Sequence, residues 1–553
     1  MLRDLVIALS LANLCFINAW RSLLNPASNF YYYHRKILPP TVEYVALICA
    51  VLLLGFVIFF GITLIRRYEN ETVQRWARIA FVLMLSLPLY GLLTQLDSNL
   101  GRRLLRAVVT DEAVVRRLLA SIPLTVCFFI LLIALLKVRR AVKVAIALIL
   151  ILAPFVVLTF SMGVAAAMRY RNVGDPPSPA LSERNRPGPR VLWMVFDELD
   201  FRVPFLQRPG TVKLPELDRL SSESLFASNA YPPGGETLLS IPALISGRLI
   251  SEANRTGPED LMIKFGDGTE PVSWRTQPNV FARARAEGFN TALFGWYHPY
   301  CRILGENINR CDWQGGVPAA QALADLTGAE SVPQGWQSLS HYISLHFKTA
   351  AYTIPLAIFV FPQRLDVGDL ERRKQVADLD SIYRNTVQAA ANPAIDLLLV
   401  HWTIPHPPNI YDRSTDQISV AKNHSYLDNL ELLDRTFGDL RREMESKGAW
   451  DNTAVVVTSD HWWRPVWRQH KTWTAEDEAI GGNTFDRRVP FILRMPGAGN
   501  TRVVFDKEFN TVLTQELLLA ILRGEVSDTE AAAAWLEKNR SIGRSPYDER
   551  TFR

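Results

Sequence analysis

The chain has 553 residues, 60 Lys and Arg against 55 Asp and Glu, a formal net charge of +5, and 48% hydrophobic residues. That length exceeds one ordinary core, so at least two structural units are expected. So small a net charge, with no dense Lys/Arg block interleaved with aromatics, excludes a protein that tracks nucleic acid.

From the N-terminus, apolar runs cover residues 5–20, 44–65, 79–96, 118–136 and 144–168. A bilayer-crossing helix takes about 20 predominantly apolar residues, which the last four runs supply. The first is shorter and carries Asn13 and Asn18. Arg21, Ser22, Leu23 and Leu24 follow where a signal peptide would have a small-residue cleavage site, so it counts as a span. Residues 1–170 are therefore expected to form an α-helical transmembrane bundle of about five spans, with Pro154 kinking the last. Arg66, Arg67, Arg75 and Arg78 follow the second run, and Lys137, Arg139, Arg140 and Lys143 precede the fifth, which places both loops and the N-terminus in the cytoplasm. Arg102, Arg103, Arg106, Arg116 and Arg117 run against that assignment, although their spacing suits a helix lying on headgroups. The remainder of the chain is then extracytoplasmic.

Residues 171–189 are polar and Pro-rich, a linker composition. Residues 190–525 read as a catalytic α/β domain, and 526–553 as a polar C-terminal tail. Within the domain, 191–196 (VLWMVF), 395–400 (IDLLLV) and 454–458 (AVVVT) have the unbroken apolar character of strands buried in a parallel sheet. Each ends in polar groups: Asp197 and Glu198 after the first, His401 and then His406 after the second, Asp460 and His461 after the third. Ligands collect at the carboxyl ends of such strands. Any one of these groups could instead be a cap or a structural histidine, but three such strand ends together point to a metal. Imidazole with carboxylate suits Zn²⁺ or Mn²⁺, whereas oxygens alone suit Mg²⁺ or Ca²⁺.

Of the five cysteines, Cys15, Cys49 and Cys127 lie in apolar runs. Cys301 and Cys311 are candidates for a disulfide if their domain faces an oxidising compartment, and two buried thiols otherwise. Trp462, Trp463, Trp467 and Trp473 are open to two readings, a lipid-facing rim or core packing.

Taken in order, 191–198, 237–248 (TLLSIPALISGR), 281–294 (FARARAEGFNTALF), 400–408 (VHWTIPHPP) and 426–461 with its Asp434, Gly438 and Ser459-Asp460-His461 resemble sulfatase-type members of the alkaline phosphatase superfamily. The layout with preceding spans is similar to membrane-anchored lipoteichoic acid synthases, phosphoethanolamine transferases and phosphoglycerol transferases. The resemblance implies a mainly parallel central sheet with helices on both faces. It aligns Thr237 with the sulfatase nucleophile, where the Cys/Ser-x-Pro-x-Arg maturation motif has a Cys or Ser, and puts Leu239 and Ile241 at the Pro and Arg positions. Thr is the nucleophile of the transferases.

By this resemblance Asp197, Thr237, Asp460 and His461 hold the catalytic metal, with Glu198 as a lesser ligand. His406 binds or protonates the transferred phosphoryl group, and His401 and His470 are lesser substrate-binding candidates. The expected function is transfer of a phosphoryl-linked headgroup, of phosphoethanolamine or phosphoglycerol type, from a membrane lipid to a cell-envelope glycan or lipid at a bacterial-type plasma membrane. The alternatives are hydrolysis of phosphodiesters or sulfate esters, and a non-catalytic lipid-binding sensor.

Overall fold

The computed structural model describes residues 1–24, 33–36, 41–68, 70–82, 137–169, 173–183, 188–315, 336–352, 367–464, 473–481, 486–497 and 501–547. The chain forms two compact units, one of Met1–Ser28, Leu38–Asn172 and Gly328–Arg364, the other of Asn29–Ile37, Val173–Thr327 and Leu365–Arg553. The boundary expected near 170 is thus crossed twice, by an early segment that belongs to the second unit and a late one that belongs to the first.

In the first unit the described helices include Leu2–Cys15, Ile17–Leu24, Thr41–Arg67, Val138–Ile151, Pro154–Arg169 and Trp336–Tyr352, and residues 71–82 are helical as well. Among the described residues two stretches are long and apolar enough to cross a membrane, Thr41–Arg67 and Arg139–Arg169, with mean hydropathies of 3.1 and 2.8. These correspond to two of the five expected spans. The run 118–136, and 79–96 beyond residue 82, lie outside the described residues. The run 5–20 is not one continuous helix, because the helix is interrupted by a turn at Phe16. Its Asn13 carboxamide accepts from Trp20 Nε1 at 2.7 Å and from Thr159 Oγ1 at 3.1 Å, so the polar group that weakens the run has partners inside the unit. Pro154 interrupts the last run rather than bending it, ending one helix at Ile151 and opening the next, as a residue without an N–H does best at a first helical turn.

The second unit is built on an eight-stranded sheet. In chain order its strands are β1 Arg190–Phe196, β2 Leu225–Ala227, β3 Thr291–Trp296, β4 Arg310–Gln314, β5 Leu397–Trp402, β6 Thr453–Ser459, β7 Phe491–Arg494 and β8 Val503–Phe505. They lie in the order β8-β2-β7-β6-β1-β5-β3-β4. The run β6-β1-β5-β3-β4 is parallel throughout, and β7 alone opposes its neighbours β6 and β2. Alternate residues of β1 serve two cores. Val191, Trp193 and Val195 pack with helices Thr237–Ser246, Val280–Ala286 and Thr514–Leu522, whereas Leu192, Met194 and Phe196 pack with helices Pro215–Ser222, Val367–Ala391 and Tyr426–Ser446. Helices therefore cover both faces, which is why the central strands are apolar at every position.

Residues beyond 525 are no polar tail. Helix Thr529–Asn539 is N-capped by Asp528 and buries Ala532 and Leu536 against β2 and β8. Its apolar residues recur at helical rather than strand spacing, so the stretch buries one stripe while remaining polar in composition.

Candidate active site

Three adjacent strands deliver the chemistry. The register pairs Phe196 of β1 with Ser459 of β6 on one side and Trp402 of β5 on the other, so Asp197, Asp460 and His401 emerge side by side at the carboxyl edge. Ligand atoms of these three lie within 4.8 Å of one another, and all three side chains are buried. Thr237 enters from the first turn of helix Thr237–Ser246. Its Oγ1–H donates to Asp197 Oδ2 at 3.3 Å, and the same oxygen is 3.3 Å from His461 Nε2.

The imidazole tautomers follow from their carbonyl partners, because a carbonyl only accepts. His461 Nδ1 lies 3.0 Å from the Trp462 carbonyl and must carry the proton, which leaves the Nε2 lone pair facing Asp460 Oδ2 at 3.3 Å and Asp197 Oδ1 at 3.6 Å. His401 Nδ1 is 3.2 Å from the Trp296 carbonyl and 2.8 Å from Tyr300 Oη, so its Nε2 lone pair faces Asp197 Oδ2 at 3.7 Å. Lone pairs and carboxylates pointed at one another repel. Asp197 Oδ1, His401 Nε2 and Asp460 Oδ2 are moreover buried and make no hydrogen bond. Burial raises the Asp197 carboxyl well above its usual range, reinforced by Asp460 and then Glu198, and burial likewise raises Asp460. Burial lowers His401 to about 3 and takes His461 well below its usual value, which keeps both neutral. Such a donor set, with imidazoles oriented by a second hydrogen bond, fits a divalent cation.

Glu198 is engaged otherwise. It follows β1 in a left-handed conformation, φ 62°, sparsely populated for a residue with a Cβ. Its main-chain N–H donates to Asp460 Oδ1 at 3.2 Å, and its carboxylate pairs with Arg464 at 2.5 Å. Asp197, Glu198 and Asp460 against Arg464 leave two negative charges when ionised, which one divalent ion balances.

His406 is half-buried, packs edge-on against Trp296 at 5.1 Å, and donates its Nδ1–H to the Pro407 carbonyl. Burial and then Arg464 depress it to about 3, so Nε2 is an acceptor. His470 and Trp467 lie outside the described residues. Trp462 and Trp463 are buried, and Trp463 stacks between Tyr426 at 4.3 Å and Trp473 at 5.0 Å, so neither forms an exposed lipid-facing rim. Cys301 and Cys311 are joined in a disulfide that ties helix Tyr300–Leu304 to β4.

Four contributions escaped the sequence reading: Arg464, the ligand position of His401, and the pair His298 and Tyr300 beyond β3. The segment 291–300 (TALFGWYHPY) is a fourth buried strand ending in imidazole and phenol. It carried the same signal as the three strand ends that were recognised.

A mainly parallel sheet with carboxylates and imidazoles gathered at its carboxyl edge defines an alkaline-phosphatase-like α/β domain. The family model described as Sulfatase matches residues 200–512, more than half of the chain, and the chain belongs to the sulfatase family. It is thus a sulfatase-like enzyme of the alkaline phosphatase superfamily, whose members use a divalent metal. Among solved structures, Ps i-CgsB in complex with k-i-k-neocarrahexaose is 15% identical, with 64% of this chain and 77% of that one covered at a TM-score of 0.42. The PsFucS1 sulfatase from Pseudoalteromonas sp. is 16% identical over 61% and 68%, TM-score 0.38, and the phosphonate monoester hydrolase of Agrobacterium radiobacter 14% over 61% and 77%, TM-score 0.37. No curated protein matches the chain.

Proposed function

We propose that the protein is a membrane-bound, metal-dependent transferase that moves a phosphoryl-linked headgroup from a lipid donor to a cell-envelope glycan or lipid by way of Thr237. The observation that carries this reading is the threonine itself. Its hydroxyl lies 3.3 Å from both Asp197 Oδ2 and His461 Nε2, and Leu239 and Ile241 stand where a formylglycine-dependent sulfatase has Pro and Arg. A threonine cannot become formylglycine, so the hydroxyl attacks as it stands.

A divalent cation, Mn²⁺ or Zn²⁺ for this mixed donor set, would be held by Asp197, Asp460, His461 and His401 with Thr237, and when bound would lower the hydroxyl pKa and offset phosphoryl charge. Thr237 Oγ1 forms a bond to phosphorus as the donor ester oxygen leaves with a proton, giving a phosphothreonine diester and a free lipid alcohol. An acceptor hydroxyl then displaces Thr237, which regains its proton. His406, neutral and with its Nε2 lone pair free of the proton held at Nδ1, suits orienting the acceptor hydroxyl by accepting its hydrogen bond in this second step.

The apolar helices support a membrane-bound setting, and the Cys301–Cys311 disulfide supports an extracytoplasmic one. Membership of the sulfatase family keeps a second reading in play, in which water is the acceptor and the enzyme is a phosphodiesterase. The filled donor set speaks against a non-catalytic lipid sensor. Incubation of the chain with phosphatidylethanolamine and phosphatidylglycerol vesicles tests the mechanism by intact-mass analysis. The wild type should acquire a headgroup phosphate adduct on Thr237 and release diacylglycerol. A Thr237→Ala variant that still releases diacylglycerol would overturn the mechanism. Products with and without a glycan or lipid acceptor separate transfer from hydrolysis.

A further inference from the structure

The nucleophile is braced from behind by a segment of chain from far upstream. Tyr33, 265 residues before His298, is fully buried, and its Oη lies 2.6 Å from His298 Nδ1. His298, also fully buried, places Nε2 3.1 Å from the main-chain carbonyl of Thr237. The carbonyl only accepts, so Nε2 carries the proton, Nδ1 is the acceptor, and the Tyr33 hydroxyl donates to it. The relay has one direction: Tyr33 to His298 to Thr237.

The segment is seated, not merely adjacent. His34 Nδ1 bonds the Tyr297 carbonyl at 2.7 Å, and Lys36 pairs with Asp312 at 2.6 Å. The buried Arg302 donates to the carbonyls of Arg35 at 3.2 Å and Lys36 at 2.8 Å. Gly315 admits the chain, since a Cβ there would stand 1.8 Å from the His34 carbonyl oxygen. Arg302 lies between the disulfide cysteines in sequence, so the Cys301–Cys311 bridge steadies the seat.

The first turn of helix Thr237–Ser246 is also one internal hydrogen bond short, at the residue after Thr237. Pro242 stands inside the helix and has no N–H to offer the Leu238 carbonyl one turn back, so the turn bearing the nucleophile lacks an internal hydrogen bond.

We propose that Tyr33 is a positioning residue for the active site: through His298 it fixes the Thr237 carbonyl and hence the direction of the Thr237 hydroxyl toward Asp197, His461 and the cation they would hold. This rests on the reading of Thr237 as a metal-associated nucleophile. A tyrosine that only filled the core would affect stability and leave cation affinity alone.

The test is a double-variant cycle on the full chain in detergent micelles, read by Mn²⁺ calorimetry and by turnover of bis(4-nitrophenyl) phosphate. Removal of a group hydrogen-bonded to a metal ligand typically costs 10- to 100-fold in affinity or activity, and Tyr33 stands one bond further out, so the low end of that range applies. Tyr33→Phe should therefore weaken Mn²⁺ binding about tenfold and lower kcat with KM little changed. His298→Leu should lose at least as much, and Tyr33→Phe placed on it should add less than about twofold, because the relay is already cut. Wild-type Mn²⁺ affinity in Tyr33→Phe, or losses that multiply in the double variant, would overturn the proposal. If His298→Leu does not fold, His298→Gln replaces it: its amide still donates to the Thr237 carbonyl and should keep Mn²⁺ affinity near wild type, and a tenfold loss there also overturns the relay. Full turnover by Thr237→Ala would instead sink the nucleophile reading, while the Mn²⁺ cycle still decides Tyr33.

Discussion

Arg464 donates its Nε–H to the carboxylate of Glu198 at 2.5 Å, the acid wholly buried and the arginine side chain 14% exposed. Burial opposes the guanidinium charge, but Glu198 and then Asp197 more than offset it and raise the Arg464 pKa. Removing one partner of a buried pair strands the other, at a cost of about 3–5 kcal/mol, whereas removing both is often nearly neutral. Arg464→Met is therefore expected to destabilise the fold by about that much, and Arg464→Met combined with Glu198→Gln to recover most of the loss. Denaturant unfolding followed by Trp fluorescence reads both, and equal stabilities for the two variants would refute the pairing.

The cation should act as a fastener. Without it Asp197 and Asp460 face each other and two imidazole lone pairs in a buried site. Saturating Mn²⁺ or Zn²⁺ at a hundred times Kd is expected to add about 2.7 kcal/mol of stability, and EDTA to remove it. His401→Ala and Asp460→Asn should each weaken binding at least about tenfold. Thermal midpoints with and without metal, and metal content by mass spectrometry, check this. A His401→Ala variant with wild-type affinity would exclude that imidazole from the site.

Gly247 ends helix Thr237–Ser246 in the left-handed conformation, φ 69°, and a Cβ there would meet Gln515 Nε2 at 2.0 Å. The Gln515 side chain can swing aside, but it then loses its bond to the Ser246 carbonyl. The backbone penalty for a side chain at such φ is roughly 1–2 kcal/mol. Gly247→Ala is expected to destabilise by about that or more. Gly247→Asn should cost less, and chemical unfolding of the two variants makes the comparison.

Asp434 accepts from the N–H groups of Leu217 at 2.7 Å and Glu216 at 3.2 Å, yet burial raises its carboxyl to about 7. An acid whose folded pKa lies above its unfolded one binds more protons when folded. Its contribution is therefore fully present below about pH 4 and is lost as pH rises through about 7. Stability should fall between these limits, and Asp434→Asn should flatten that part of the profile. Thermal midpoints from pH 4 to 8 test it, and an unchanged slope in the variant would assign the dependence elsewhere.

The strands of the site were legible because burial on both faces leaves an unbroken apolar run, as in 191–196 and 454–458, and the polar residues that end such runs stand out. The fourth, 291–296, is equally apolar, but His298 and Tyr300 stand beyond its end, past Tyr297, without a carboxylate to mark them. Arg464 bore no signal, since a lone arginine beside tryptophans is compatible with many surroundings.

Sequence alone determined the parallel α/β character of the second unit, the sulfatase-type motif order and the alignment of Thr237 with the Cys or Ser of the sulfatase motif, because each depends on local periodicity or on residue identity. Only the tertiary structure decided that His401 faces Asp197 and Asp460, that Glu198 is taken by Arg464, that residues 33–36 belong to the second unit, and that 529–539 packs against the sheet. These depend on strand order and on contacts across hundreds of residues. A side chain's charge and shape constrain such contacts only once the sheet has brought its partner within reach.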